Sequence, residues 1–590
     1  MRHLFLIFGL WLSAISLLAA PTSKPNVVFI LIDDLSYLGV TAYGANRLTS
    51  LDGLFENVKF ETPNIDQLAR EGVRCDRAFA YPICEPTRIA LMSGKTNDRN
   101  FLRCKSQHAS DITFGDAFKE AGYATGIFGK WKQTRGTQEI GGKDYIYEFG
   151  WDEFTCFDVT TEGQRFINPF LVKNGEINNY KNRTDLDPET GRRWYGPDIC
   201  NRDALNFIEN HKEEPFFLYY PMLLVHDDHK PTPDTRPKSI FNNFDEANNN
   251  RNGHTGDDRR YFPDMIAYMD KLIGNVVKKI DDLGLRENTL IVVMGDNGTK
   301  ECFSHVMADG TIYPGRKGGN ADNGLHVPLI LSQPGVIPTA EKKKAYRSYD
   351  GLTNITDLYP TFCEATGVPL LKQGELDGRS FWKQMTGEQM EEHREYIYTW
   401  FNGNNPHTNL SDVLIYAFTK DFKYYKPTPE FPNGRFFDLR RDRLEREGDY
   451  HVDRRWKLQL FSGINPEDLT AEQQEAKAYL QGKLSDHEFT PVTNLKIHAN
   501  QNNLQVGSQM KLSAQVFPEV ATRKNVIWVS SDPSVLEVNK FGEIFAKKAG
   551  KAKITIYSWD DAYPVSANES ETFSKAGIKD ELEFTVSANL

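Results

Sequence analysis

The sequence predicts an α/β protein: a central, mostly parallel sheet flanked by helices, then a smaller α+β subdomain, then an all-β sandwich. Three observations predict it. Continuous apolar, β-rich runs recur at Asn26–Ile32, Tyr123–Phe128, Pro215–Tyr220 and Thr289–Met294. Such runs mark strands buried on both faces, as in parallel sheets. Helical spacing is clear over Asp264–Leu283, through Met265, Tyr268, Met269, Leu272, Val276 and Ile280. After about residue 490, alternation takes over, as in Leu495/Ile497, Met510/Leu512/Ala514/Val516, Val526/Trp528, Ile554/Ile556 and Leu582/Phe584/Val586. These are half-buried strands in about the number a sandwich needs.

The chain's 590 residues exceed one typical domain. With 39% hydrophobic and 26% charged residues the composition is that of a globular protein. The net charge of −11, with no basic patch, disfavours nucleic acid as a partner. Arg2 and His3 precede the apolar run Leu4–Leu18, and Ala19-Ala20 offers a small-residue cleavage site, so residues 1–20 read as a signal peptide. The run is short for a membrane span, and no later stretch is long and apolar enough. Export to a periplasmic or extracellular location is expected. Seven cysteines are present, at 75, 84, 104, 156, 200, 302 and 363. The odd count leaves one thiol over if the rest pair, and Cys84 is the natural odd one. Their spacing gives no zinc signature.

In chain order, the first strand stops at Asp33-Asp34, two carboxylates that repel unless a cation lies between them. Pro63 opens a short helix. The strand Tyr123–Phe128 leads to Gly129-Lys130-Trp131-Lys132. Residues 133–214 read as long loops plus one helix near Pro197–Asn210. The strand Pro215–Tyr220 is followed by Val225-His226-Asp227-Asp228-His229, then by a loop-like stretch, 231–262. The strand Thr289–Met294 ends at Gly295-Asp296-Asn297-Gly298. Val327–Leu331 is a strand or strand edge, given Pro328. Asn354–Thr366 reads as a helix, 396–445 as strands and turns, and Thr470-Ala471-Glu472-Gln473 as a capping box for a helix through Leu484. Asp33/Asp34, Lys130, His226 and Asp296/Asn297 therefore each follow an apolar strand. In open α/β sheets, ligands bind outside the carboxyl ends of the strands. Four charged strand ends point to one site.

Tyr81-Pro82-Ile83-Cys84-Glu85-Pro86-Thr87-Arg88 precedes an apolar helix start. Pro86 suits a first helical turn, so Cys84 stands at a helix N-terminus that favours an anion. Arg88, one turn on, offers a planar fork of donors. The unit reads as a nucleophile beside an oxyanion clamp; the plainer reading is a buried core cysteine.

With these residues lined up, residues 24–485 resemble the sulfatases of the alkaline-phosphatase-like superfamily. Cys84-Glu85-Pro86-Thr87-Arg88 fits their Cys-x-Pro-x-Arg signature. Gly129-Lys130-Trp131, Pro231-Thr232-Pro233-Asp234 after His226, and Gly295-Asp296-Asn297-Gly298 follow in family order. Residues 492–558 resemble a bacterial Ig-like group 2 domain, through Val506-Gly507, Val526-Ile527-Trp528-Val529-Ser530-Ser531-Asp532, Val535, Phe541-Gly542 and Gly550. The resulting division is 1–20 signal peptide, 24–395 catalytic domain, 396–485 C-terminal subdomain and 491–590 Ig-like sandwich.

The resemblance implies that a maturation enzyme oxidises Cys84 to formylglycine, whose hydrate attacks sulfur. It implies a calcium ion held by Asp33, Asp34, Asp296 and Asn297, with a hydroxyl from matured Cys84. Arg88 would steady the hydrate, Lys130, His226 and Lys317 would bind sulfate oxygens, and His226 would give a proton to the leaving alcohol. The sequence departs from the family at Lys132, where a histidine is usual. That histidine is thought to deprotonate the hydrate; Lys132 serves only with a strongly lowered pKa. His229 and His305 are substitute candidates. Asp322-Asn323-Gly324-Leu325-His326 also replaces the usual acidic-Gly-Gly-x-Arg segment. The expected function is hydrolysis of sulfate esters, of a sulfated carbohydrate in particular. The competing readings are a phosphate or phosphonate ester hydrolase and an inactive sulfatase-like binding protein. The Ig-like domain is expected to be a spacer or an adhesion module contacting cell surface or polysaccharide.

Overall fold

A computed structural model describes residues 24–100, 106–133, 142–237, 241, 258–341, 345–371, 375–402, 413–452, 459–562 and 577–588. The signal-peptide segment 1–20, Cys104 and most of 231–262 lie outside them. A ten-stranded sheet runs through the catalytic part. Its strands are β1 (Asn26–Ile32), β2 (Val73–Cys75), β3 (Ala124–Lys130), β4 (Glu153–Phe157), β5 (Phe170–Lys173) and β6 (Glu176–Asn179). They continue with β7 (Phe216–Pro221), β8 (Thr289–Gly295), β9 (Leu329–Ser332) and β10 (Arg347–Tyr349). The spatial order is β10-β2-β9-β8-β1-β7-β3-β4-β5-β6. The central run β8-β1-β7-β3-β4 is parallel throughout, as is the β10/β2 pair; β9 and the β5/β6 edge are antiparallel.

The unbroken apolar run of β1 has its cause in layering. Val28, Ile30 and Ile32 point into one core; Val27, Phe29 and Leu31 point into the other. Helices Gly196–Asn210 and Phe262–Asp282 cover the first face, the latter with Met265, Met269, Leu272, Ile273 and Val276. Helices Cys84–Ser93, Phe114–Glu120 and Leu358–Thr366 cover the second. Burial on both faces leaves no room for a polar residue until each strand ends.

Register then aligns the strand ends. Ile32 pairs with Gly295 and Leu31 with Pro221. The Asp33 N–H donates to the Leu224 carbonyl at 3.0 Å, and the Asp296 N–H to the Ile32 carbonyl at 3.0 Å. Lys130 is the last residue of β3 rather than a residue beyond it. His226 is also displaced from the expected place: β7 stops at Pro221, and His226 comes five residues later on a loop.

Several other expectations need correction. Residues 133–214 are more than loops and a helix, because β4, β5 and β6 extend the sheet there. The β5/β6 hairpin is an edge and mostly polar in β6, so it lacks the apolar run that marks central strands. Val327–Leu331 gives an interior strand, β9, which begins only after Pro328. The helix read from Asn354 begins at Leu358; Asn354 instead caps a preceding 3₁₀ turn with Asp357. Disulfide pairing does not occur among the described cysteines: Cys75, Cys84, Cys156, Cys200, Cys302 and Cys363 are all buried thiols. They are packed as small apolar groups.

The following subdomain is a four-stranded antiparallel sheet, Ile397–Phe401, Leu414–Phe418, Phe422–Tyr425 and Arg435–Asp438. Helix Ala471–Ser485 packs on it through Leu480 and Leu484. The Thr470 capping box is formed in both directions. Beyond it, sheets that are antiparallel except where Asn503–Gln505 runs parallel to Lys579–Ser587 enclose a core of Leu495, Ile497, Leu536, Ile544, Ile554, Ile556 and Phe584, the Ig-like sandwich.

This sandwich is docked on the catalytic part. Lys540 Nζ pairs with Asp116 at 2.7 Å, and Lys95 Nζ donates to Asn525 Oδ1 at 3.0 Å. The Arg523 Nε–H donates to the Asp98 carbonyl at 3.0 Å. Trp559 is fully buried, and its indole N–H donates to Ser110 Oγ at 2.9 Å. All four contacts fall on the segment that follows the Cys84 helix. A spacer on a free linker would need none of them. Trp559→Ala is expected to cost about 3–5 kcal/mol, the usual range for a buried aromatic. The lowered Tm should appear in the catalytic transition, followed by activity loss on heating, as well as in the sandwich.

Candidate active site

Cys84 opens its helix as the first residue after the extended Ile83 and is 2% exposed. Asp33, Asp34, Cys84 and His226 bring one ligand atom each to within 4.8 Å of one another. Asp34 holds a left-handed backbone conformation, φ 62°. That costs a residue with a Cβ about 1–3 kcal/mol and is typical of sites the surrounding fold over-determines. Its N–H donates to Asp296 Oδ1 at 3.0 Å, and its Oδ1 accepts from the Asn297 carboxamide at 2.8 Å. Thus Asp34 is hydrogen-bonded to both Asp296 and Asn297, and Asp33 lies with it in the same cluster.

Cations surround this acidic centre. Lys130 Nζ donates to both Asp33 oxygens at 2.8 Å. Lys317 Nζ reaches Asp34 and lies 3.0 Å from His226 Nε2. Arg88 is wholly buried; it donates to Asp296 Oδ2 at 2.7 Å and to the Lys130 carbonyl at 3.0 Å. It therefore braces the site from behind. Gly129 lets Lys130 take its place: a Cβ there would lie 1.9 Å from the Pro221 carbonyl oxygen, on the neighbouring strand.

The charges follow from these neighbours. Burial disfavours the Asp33 carboxylate, but Lys130 foremost, with Arg88 and Arg165, holds it well below the usual range. Burial and the nearby Asp33 charge push Asp296 up to about 7. Burial pushes the Cys84 thiol up to about 12 despite Lys130 and Lys317. A thiol so protonated is a poor nucleophile. Burial, with the Arg165 and Lys317 charges, brings His226 down to about 4, although Asp34 works against them.

Lys132 is held as a cation. Its Nζ lies 3.0 Å from Glu162 and 3.7 Å from Glu85. Burial works against that charge, but Glu85 and Glu162, with Cys84, together outweigh it and the pKa is raised. The condition for Lys132 to act as a base, a strongly lowered pKa, is not met. Neither substitute histidine joins the cluster. His229 is packed edge-on against Phe262 and Phe303. His305 is fully buried, with Nε2 3.1 Å from Thr299 Oγ1.

Two groups at the site, Arg165 and Lys300, escaped sequence reading, and Asp227 was read only as part of a possible metal-binding run, His226–His229. Arg165 reaches Asp33 Oδ2 at 3.4 Å from the loop after β4 and packs over Phe157. Asp227 pairs with the His226 ring at Nδ1, and Lys300 holds Asp227 at 2.6 Å. Asp227 and Lys300 each adjoin a recognised motif, which is a usable signal. Arg165 sits in an aperiodic stretch and had none.

The acidic centre fits a hard cation. Asn297 Oδ1 is buried with no hydrogen-bond partner among the described residues, and the same carboxamide stands against Asp34. An all-oxygen set of that kind is calcium chemistry.

Comparison with known proteins bears on the same residues. The family model described as "Sulfatase" matches residues 25–368, and the model "Bacterial Ig-like domain (group 2)" matches residues 491–562. The chain is 25% identical over 454 residues to human "Arylsulfatase D", covering 64% of this chain and 70% of that protein. It is 24% identical over 478 residues to "N-acetylgalactosamine-6-O-sulfatase" of Bacteroides thetaiotaomicron, covering 69% and 83%. The fold is similar to that of the PsFucS1 sulfatase from Pseudoalteromonas sp., with TM-score 0.54 and 19% identity over 78% of this chain and 90% of that one.

Proposed function

This chain belongs to the sulfatase family and is a sulfuric ester hydrolase, and from that premise we propose an exported enzyme that desulfates carbohydrate, with Cys84 matured to formylglycine and calcium held by Asp33, Asp34, Asp296 and Asn297. One observation carries the reading: Cys84, Asp33, Asp34 and His226 converge within 4.8 Å while Lys130 and Lys317 stand against the same carboxylates. That is a centre of cationic donors around a nucleophile position, the arrangement a tetrahedral anion requires.

When bound, the cation supplies Lewis acidity and the matured side chain a hydroxyl nucleophile, the role the protonated thiol cannot fill. The chain's own residues do the rest. Lys130 and Lys317 hold sulfate oxygens. Arg88 keeps Asp296 and the Lys130 backbone in place. His226 has its Nδ1 engaged by Asp227, which leaves Nε2 facing Lys317 and the centre. Nε2 is the nitrogen that protonates the leaving alcohol. An anionic ester bound there favours the imidazolium, opposing the burial and cationic neighbours that lower its pKa. Lys132, clamped by two glutamates, acts as a fixed cation that orders Glu85 beside Cys84.

The substrate class is supported by the relative named for N-acetylgalactosamine-6-O-sulfate and by the fold neighbour solved with D-glucosamine-2-N,6-O-disulfate, TM-score 0.56 at 17% identity. Export is supported by the leader-like N-terminus; among the described residues no helix is long and apolar enough to cross a membrane. The test is a panel of sulfated mono- and oligosaccharides run against phosphate and phosphonate esters. Sulfate release from a sugar is the expected result. Preferred release of phosphate overturns the reading.

A further inference from the structure

A cationic cavity lies where the loop that carries Lys317 meets the C-terminal subdomain. Its volume is about 350 Å³. The loop that carries Lys317 forms one wall. Lys317 is turned to Asp34 and His226, while the preceding Arg316 lines this cavity. The loop is pinned: the Gly315 N–H donates to the Phe303 carbonyl at 2.8 Å and the Lys317 N–H to the Thr299 carbonyl at 3.0 Å.

The opposite wall holds Arg435, at 4% exposure. Its guanidinium lies 3.7 Å over the Tyr425 ring and 5.1 Å from that of Phe431. Among the described residues it has no carboxylate at ion-pair distance, and its Nη2 is buried without a hydrogen-bond partner. The nearby Glu445 is already engaged by Lys423 at 2.8 Å and by the Tyr425 hydroxyl at 2.6 Å. Asn320 lines the same cavity at 6% exposure. Its Oδ1 accepts from the Tyr416 hydroxyl at 2.9 Å, and its Nδ2 has no acceptor among the described residues. Arg446 lies near Arg316 at the rim. Burial and that like charge hold the Arg316 guanidinium below its ordinary value, although Glu301 works the other way.

Buried cations and donors without acceptors carry a desolvation cost unless a ligand meets them. We propose that this cavity is an oxyanion subsite, in which Arg435, Asn320 and Arg316 take a sulfate or carboxylate on a sugar residue adjoining the one being hydrolysed. The proposal rests on the sulfate-ester reading and narrows it to polyanionic carbohydrate. Phe461, half-buried at the cavity, offers an apolar wall for that sugar.

Crystals of the full chain soaked in sodium selenate, an X-ray-visible stand-in for sulfate, test the site without reference to turnover. An anomalous peak between Arg435 and Asn320 is expected, and it should vanish in Arg435→Met. A wild-type cavity without selenate overturns the subsite. Kinetics separate the two sources of the anion. Arg435→Met is expected to raise KM about tenfold for an oligosaccharide sulfated on adjacent residues, the usual effect of one lost charged hydrogen bond. KM for the monosulfated monosaccharide should not move. Selenate binding with both KM values unchanged would assign the cavity to free sulfate and overturn the flanking-sugar assignment. Selenate at Arg435 with no sulfate released from either sugar would count against the functional reading and not the subsite. Should Arg435→Met melt early, Asn320→Asp puts a negative charge on the same wall and is expected to give the same KM split.

Discussion

Cys84→Ala is expected to reduce sulfate-ester hydrolysis by on the order of 10⁴–10⁶-fold, the scale of losing a nucleophile, with the fold intact. The side chain does little for stability. Its one described polar contact is a 3.9 Å approach of Sγ to Asp34 Oδ1. The wild-type thiol is itself a poor nucleophile, because burial pushes it up to about 12. Wild-type protein made without maturation should therefore be nearly as inactive as the variant. A steady-state assay on the best sugar sulfate, with far-UV circular dichroism and Tm as controls, checks both statements. Equal activity in matured and unmatured protein would sink the account of Cys84.

Removing calcium by chelation is expected to lower turnover about 10³-fold, since a Lewis acid is worth several kcal/mol at a charged centre. The reason lies in the carboxylates. The Asp34 N–H donates to the Asp296 carboxylate, Asp33 follows the strand paired with that of Asp296, and Asp296 is pushed up to about 7 by burial and by Asp33. A divalent cation would relieve that repulsion and give the buried Asn297 Oδ1 a partner. Re-addition of calcium should restore both activity and Tm in the wild type. Asp34→Asn should keep the low activity after calcium is returned. Full activity in the chelated enzyme would remove the metal from the reaction.

Much of this was legible in the sequence, and the reason is specific. Strands such as Asn26–Ile32 are buried on both faces, so their apolar runs are unbroken and their first polar residues mark the sheet edge. Asp33, Lys130 and Asp296 could be found that way. His226 was also read as a strand-end group, but it stands on a loop five residues past Pro221, and its role came from the resemblance. Arg165 was missed because its loop follows β4, in a segment whose edge strands carry no apolar pattern. The docking of the sandwich was also invisible: Trp559, Arg523 and Lys540 are ordinary residues until Ser110, Asp98 and Asp116 are placed opposite them. Lys132 shows the opposite case. The sequence located the departure, but only the geometry, with Glu85 and Glu162 around it, shows a fixed cation and not a base.

The central claim is that the working group at position 84 is an aldehyde hydrate and not a thiol. Mass spectrometry of the peptide spanning Cys84-Glu85-Pro86-Thr87-Arg88, from protein made in its native host, tests it most directly. The account predicts the mass of formylglycine at position 84, with reactivity toward a carbonyl-specific hydrazide. An unmodified cysteine in catalytically active protein would contradict it.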